Sequence, residues 1–246
     1  MKLFSALVIA LLALIGSLIA ESEKENVIIV LDASGSMWGQ VNQEPKISIA
    51  KRVVQDLVND WSLSSDIGLI AYGHRRKGDC KDIETIIPVS SPDPAQFKKV
   101  LSSLSAKGKT PLSDAVENAA ETLKYKENAA TVILVSDGIE TCDRDPCKLA
   151  SALESSGVNF TTHVVGFDLS QEDQGKIRCI ADNTGGKFLA AHDAESLKAS
   201  MEEAIQEITQ VKADVRLQAV AAVDQGSIKV TSWELYAGSD LKETSS

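Results

Sequence analysis

The apolar positions of this chain fall into two alternating patterns. Short runs rich in β-branched residues occur at 26–31, 66–72, 131–135 and 160–166. They show no polar alternation, which is the pattern of strands buried on both faces of a parallel sheet. Between them the apolar residues recur at helical spacing. Ile47, Ala50, Val54, Leu57, Val58 and Trp61 share one face, and so do Leu112, Ala115, Val116, Ala119 and Leu123. Shorter helices are predicted at 94–101, 146–155 and 170–182, and an amphipathic one at 194–209 with Leu197, Met201, Ile205 and Ile208 turned inward. Pro45, Pro94, Pro111 and Pro146 all stand near helix starts, where the missing N–H has no helical partner to lose.

Strand and helix alternate, so the fold class is α/β, a doubly wound sheet with helices on both faces. One segment departs from the alternation. Residues 82–88 read as a strand, yet too few residues separate them from the strand ending at Tyr72 for a crossover helix. A parallel connection takes about a dozen residues or more. The segment is therefore predicted to be an antiparallel edge strand, with Cys80 in the hairpin loop. Beyond Gln210, residues 211–223 and 227–236 read as two strands around Asp224-Gln225-Gly226, too little for a stable domain of their own. The chain divides into 1–20, 26–209 and a β extension at 211–246.

Lys2 is followed by an apolar run at 3–20 and then by Glu21-Ser22-Glu23-Lys24. That order is a secretory signal, cleaved after Ala20, and places the mature protein in the periplasm or outside the cell with no membrane contact. The alternative is an uncleaved N-terminal anchor in the inner membrane. The net charge of −10, from 25 basic and 35 acidic side chains, argues against nucleic acid as a partner. No run of basic residues offsets it: Lys107 and Lys109 are isolated, and His74-Arg75-Arg76-Lys77 is followed by Asp79 and Asp82. Four cysteines in an exported chain predict two disulfides. Cys80 and Cys142 both follow strands at the ligand-binding end of the sheet, and Cys147 and Cys179 lie in helices expected to be neighbours. The predicted pairs are Cys80–Cys142 and Cys147–Cys179; the alternative is a local Cys142–Cys147 loop with Cys80 joined to Cys179. Zinc is disfavoured, because Cys142-x4-Cys147 is a loose spacing and no His is close in sequence.

Ligands of open α/β sheets bind at the carboxyl ends of the strands. The first strand is followed by Asp32-Ala33-Ser34-Gly35-Ser36-Met37, and the strand at 131–135 by Ser136-Asp137-Gly138. Between them Gly108-Lys109-Thr110-Pro111-Leu112 opens a helix. Asp32 and Asp137 supply two carboxylates; Ser34, Ser36 and Thr110 supply three hydroxyls. All are hard oxygen donors, suited to Mg²⁺, Ca²⁺ or Mn²⁺. Alternation at i, i+2 and i+4 lets one turn present three oxygens together. With few charged ligands the ion is left partly unneutralised, so it seeks a further anion.

This three-part set resembles the von Willebrand factor type A domain over 26–209. The resemblance implies a Rossmann-like, mostly parallel six-stranded sheet with one antiparallel edge strand. It also implies a metal-ion-dependent adhesion site made of Asp32, Ser34, Ser36, Thr110 and Asp137, and a protein partner that presents an Asp or Glu carboxylate to the ion. A short β-module often follows the domain in exported bacterial members. No enzymatic activity is expected. There is no Gly-x-Ser-x-Gly elbow and no Walker loop, and a phosphoryl-transfer site of the haloacid dehalogenase kind would want Asp where Ser34 stands. His74, His163 and His192 are far apart, with His163 inside a strand as a packed residue. Trp38 and Met37 are candidates for apolar rim contacts, the alternative being that Trp38 packs under its own loop. The competing functional readings are an assembly subunit with a vestigial metal site and a metal-dependent hydrolase.

Overall fold

The first apolar run forms β1 (Asn26–Asp32), buried from its second residue onward. It occupies an interior position of a six-stranded sheet with β4 (Ile67–Tyr72), β5 (Ile83–Ser90), β6 (Ala130–Ser136), β7 (Phe160–Phe167) and β8 (Phe188–Ala191), in the order β5-β4-β1-β6-β7-β8. The computed structural model describes residues 26–63 and 65–224, with side chains through 209. All sheet neighbours run parallel except β4 and β5, which form the antiparallel edge hairpin. A small hairpin, β2 (Gln40–Val41) with β3 (Glu44–Pro45), turns through Asn42 and Gln43, both left-handed at φ 51° and 68°.

Strand alternation divides the core into two layers. Val27, Ile29 and Leu31 of β1 face α1 (Lys46–Asn59), α2 (Pro94–Ser103) and the start of α6 (Ala194–Asp224). Ile28 and Val30 face α3 (Leu112–Thr122), α4 (Pro146–Ser156) and α5 (Gln171–Asp182). Burying apolar surface on both faces of the sheet is the main stabilising contribution, at about 25 cal/mol per Å². Asp93 and Asp145 cap α2 and α4, each accepting from two backbone N–H groups, with proline at the next position.

The chain leaves β1 for β4 on one side and, after the β4–β5 edge, crosses to β6 on the other. β1 is therefore the point where winding reverses, and a crevice opens between the carboxyl ends of β1 and β6. The structure holds two disulfides. Cys80–Cys142 ties the β4–β5 loop to the loop after β6, and Cys147–Cys179 ties α4 to α5. The alternative Cys142–Cys147 loop does not form.

Two features differ from the sequence reading. β8 has no β-branched residue and spans only Phe188–Ala191; it is held by pairing with β7 from Val164 to Phe167. The predicted strand at 211–223 is instead a continuation of α6 to Asp224. Its apolar residues do alternate, but Ala, Leu, Lys, Arg and Gln are strong helix formers, and no Gly or Pro lies between 194 and 225 to stop a helix already nucleated. The expected signal at 1–20 and the strand at 227–236 lie outside the described residues. No helix among the described residues is long and apolar enough to cross a membrane.

His163 on β7 is a packed residue whose Nδ1 accepts from the Lys187 backbone N–H at 3.2 Å. Burial lowers its pKa from 6.5 to about 4. The unfolded chain takes up a proton as pH falls through about 6.5, and the folded chain does not until about pH 4. Stability present above pH 6.5 is therefore lost across that window, by about 3 kcal/mol from this group. Urea melts at several pH values should show His163→Gln with a flatter acid limb than wild type; identical slopes would remove His163 as the cause.

Candidate metal centre

Asp32 ends β1 with its side chain fully buried. Packing between β4 and β6 encloses it. Its Oδ1 accepts from the Ser34 N–H at 2.7 Å, which folds the chain back at once, and its Oδ2 accepts from the Ser136 hydroxyl at 2.6 Å. The Ser136 oxygen in turn accepts from the Tyr72 hydroxyl at 3.1 Å and the Gly138 N–H at 3.2 Å. Asp32 is thus anchored on three strands.

A turn of 3₁₀-helix at Gly35–Trp38 then aims Ser36 back over the strand ends. The hydroxyls of Ser34 and Ser36 are 3.0 Å apart, and Ser36 donates to Asp137 Oδ1 at 2.6 Å. A third hydroxyl stands beside them: a Cβ built on Gly138 would be in ordinary contact, at 3.7 Å, with both Ser36 Oγ and Thr110 Oγ1. Thr110 is buried and clamped to Thr141, its N–H donating to the Thr141 hydroxyl at 2.8 Å and its carbonyl accepting from the Thr141 N–H at 3.1 Å. All five residues predicted for the site therefore converge on one crevice.

Gly73, which the sequence reading did not single out, makes that convergence possible. It follows β4 at φ 68°, and its carbonyl accepts from the N–H groups of Lys107 and Gly108. A Cβ on Gly73 would lie 2.6 Å from the Lys109 carbonyl oxygen, and one on Gly108 would lie 2.8 Å from Gly73 Cα. Two glycines meeting at backbone distance draw the 104–111 loop against the turn after β1, where Gly108 O accepts from the Gly35 N–H at 3.0 Å. The available signal was a glycine directly after a buried strand. Ser136 and Lys46 were also passed over, the first because it precedes the more obvious Asp137 and the second because only the fold brings it near.

Asp137 is largely buried, with Lys46 Nζ at 3.2 Å from its Oδ2. Burial and then the Asp32 charge push its pKa up to about 6, against the opposing pull of the Ser36 hydroxyl and Lys46. Two carboxylates thus share one buried crevice with hydroxyls between them, and Lys46 is the cation beside them. Among the described residues, no cluster of three or more His, Cys, Asp or Glu side chains is placed to hold a metal. A metal here would rest mostly on hydroxyl, water and two carboxylate oxygens, which fits a hard divalent ion.

The rim divides between Met37 and Trp38. Met37 is fully buried and belongs to the core, so it supplies no contact surface. Trp38 is 54 % exposed, and its indole N–H donates to the Ala106 carbonyl at 2.7 Å. It is pinned by its polar edge to the neighbouring loop with its apolar body facing solvent.

The family described as von Willebrand factor type A domain matches residues 27–140, which include all five site residues. The protein YwmD of Bacillus subtilis (strain 168), itself uncharacterized, is 28 % identical over 222 residues, 85 % of this chain and 99 % of that protein. The solved von Willebrand factor type A structure from Catenulispora acidiphila matches with a TM-score of 0.59 at 24 % identity, over 73 % of this chain and 42 % of that one. Proximal thread matrix protein 1 from the mussel byssus, solved with zinc in its metal-ion-dependent adhesion site, matches with a TM-score of 0.57 at 20 % identity, over 75 % of this chain and 46 % of that one. This chain thus spans less than half of either solved chain. Residues 27–140 match the von Willebrand factor type A family, and the sheet order with its antiparallel edge is the fold shared with these solved structures.

Proposed function

We propose that this protein is an exported, divalent-cation-dependent binding module with an intact adhesion site, acting in the periplasm or outside the cell without catalysing a reaction. Von Willebrand factor type A domains are general protein-interaction modules, and some relatives carry a metal in the adhesion site. The observation that carries the reading is the hydrogen-bonded cluster of Asp32, Ser34, Ser36 and Asp137, with Thr110 beside it, at the reversal point of the sheet. Mg²⁺ or Ca²⁺, or Mn²⁺ in their place, would be held by these residues. The bound ion would supply an electrophilic point for an Asp or Glu carboxylate of a partner protein. The chain's own contribution is to fix the donors, to keep the count of charged donors at two, and to frame the opening with a rigid aromatic side chain.

The test is retention of envelope proteins on the immobilised mature chain with Mg²⁺ present, against the same column in chelator and an Asp32→Asn column. A protein set retained only by wild type in metal supports the reading. The same set retained on all three columns overturns it. Trp38 gives a second handle. Trp38→Ala removes exposed apolar area at the rim and should weaken partner binding by about tenfold or more, as aromatic anchors do. Metal affinity should stay unchanged, because Trp38 donates only to Ala106. Parallel titrations of metal and of a captured partner would check it; equal loss of both would place Trp38 in the metal site instead.

A further inference from the structure

Lys46 is the first residue of α1, where a positive charge opposes the helix dipole. Its side chain is only 11 % exposed and reaches across the crevice to carboxylates at two strand ends, Asp137 Oδ2 at 3.2 Å after β6 and Asp168 Oδ2 at 2.9 Å after β7. Room for its stem is provided by Gly39: a Cβ there would stand 3.2 Å from Lys46 Cε, and the Lys46 N–H donates to the Gly39 carbonyl at 2.8 Å. A lysine placed against the helix dipole, largely withdrawn from water and given a glycine for clearance is poorly explained by stability alone.

We infer that Lys46 is the resident cation of the metal centre, a specificity-determining residue that weakens the hold of Asp32 and Asp137 on a divalent ion. This rests on the proposed reading of the site as metal-binding. Asp32 and Asp137 alone would present a charge of −2 to the ion; Lys46 offsets one of those charges, and Asp168, paired with Lys46 from outside the donor set, takes back part of that offset. Its Nζ lies within 3.2 Å of a carboxylate oxygen on either side, so the ammonium is held as a charge beside the donor set. The ion is held less tightly and keeps more of its own charge for a partner's carboxylate, and Lys46 adds its attraction to the same anion.

The test is calorimetric titration of Mn²⁺, Mg²⁺ and Ca²⁺ into the full mature chain and three variants. Lys46→Met should bind Mn²⁺ about tenfold more tightly or better, from the lost repulsion at short range. Lys46→Arg keeps the charge and should stay within about threefold of wild type. Asp168→Asn removes a nearby negative charge and leaves Lys46 to Asp137, so it should bind more weakly. A merely structural role for Lys46 would move Lys46→Met and Asp168→Asn in the same direction, and melting temperatures of all variants separate folding damage from charge effects. Wild type binding metal with Lys46→Met no tighter overturns this inference alone. Wild type binding no divalent ion overturns the metal-site reading with it.

Discussion

Asp32→Asn should abolish binding of Mg²⁺ and Ca²⁺, and of the protein partner with them, while the fold survives. Asn is the informative choice because Asp32 is fully buried and satisfies two donors, the Ser34 N–H and the Ser136 hydroxyl. Ala would leave both buried donors without an acceptor, at about 1–3 kcal/mol each. Asn keeps an amide oxygen for the Ser34 N–H and removes one of only two negative charges in the donor set. Its NH₂ can donate to the Ser136 oxygen if the hydroxyl rotates toward the Gly138 carbonyl, 3.1 Å away. Removing one full charge from a site with two should cost an ion at least about a hundredfold in affinity. Calorimetry for the metal and circular dichroism for the fold measure the two halves. Equal heats of binding from wild type and a folded Asp32→Asn would show that the metal lies elsewhere.

Breaking the disulfides should cost the most in stability. Cys80–Cys142 closes 62 residues and Cys147–Cys179 closes 32, so each restrains the unfolded chain by about 3–4 kcal/mol on the loop-entropy account. The two bridges join different elements, so their losses should add. Together they approach the whole margin of about 5–15 kcal/mol of an ordinary domain. The functional consequences should differ. Cys142 lies in the loop after β6 that carries Asp137 and Thr141, so Cys80→Ala with Cys142→Ala should also weaken metal binding severalfold. Cys147→Ala with Cys179→Ala, on the α4–α5 side, should leave metal affinity alone. Urea melts and Mn²⁺ titrations of the two double variants test this; unchanged melting midpoints in both would mean the bridges contribute nothing.

Local patterning by itself determined much of this protein. Val27 to Leu31 and Thr131 to Val135 are continuous apolar runs, which only a strand covered on both faces accommodates, and the helices between them announce themselves at 3.6-residue spacing. The short gap between Tyr72 and Ile83 forced a hairpin at the edge. Once strands and winding were in place, Asp32, Ser34, Ser36, Thr110 and Asp137 could be assigned to one end of the sheet, because strand polarity fixes which loops share an end. At 211–223 period-two alternation competes with helix propensity, and the helix prevails because one already formed extends more readily than a new strand begins. β8 was invisible because four residues without β-branching become a strand only when β7 offers its edge. What only the tertiary structure decided is which partners meet across the crevice. Gly73 against Gly108, Ser136 under Asp32 and Lys46 between Asp137 and Asp168 join residues 35, 104, 91 and 122 positions apart, and no local period encodes such distances. They follow from the order in which the strands pack, because that order alone sets which loop lies beside which, and in this chain it brings five scattered oxygen donors and a lysine together at one end of the sheet.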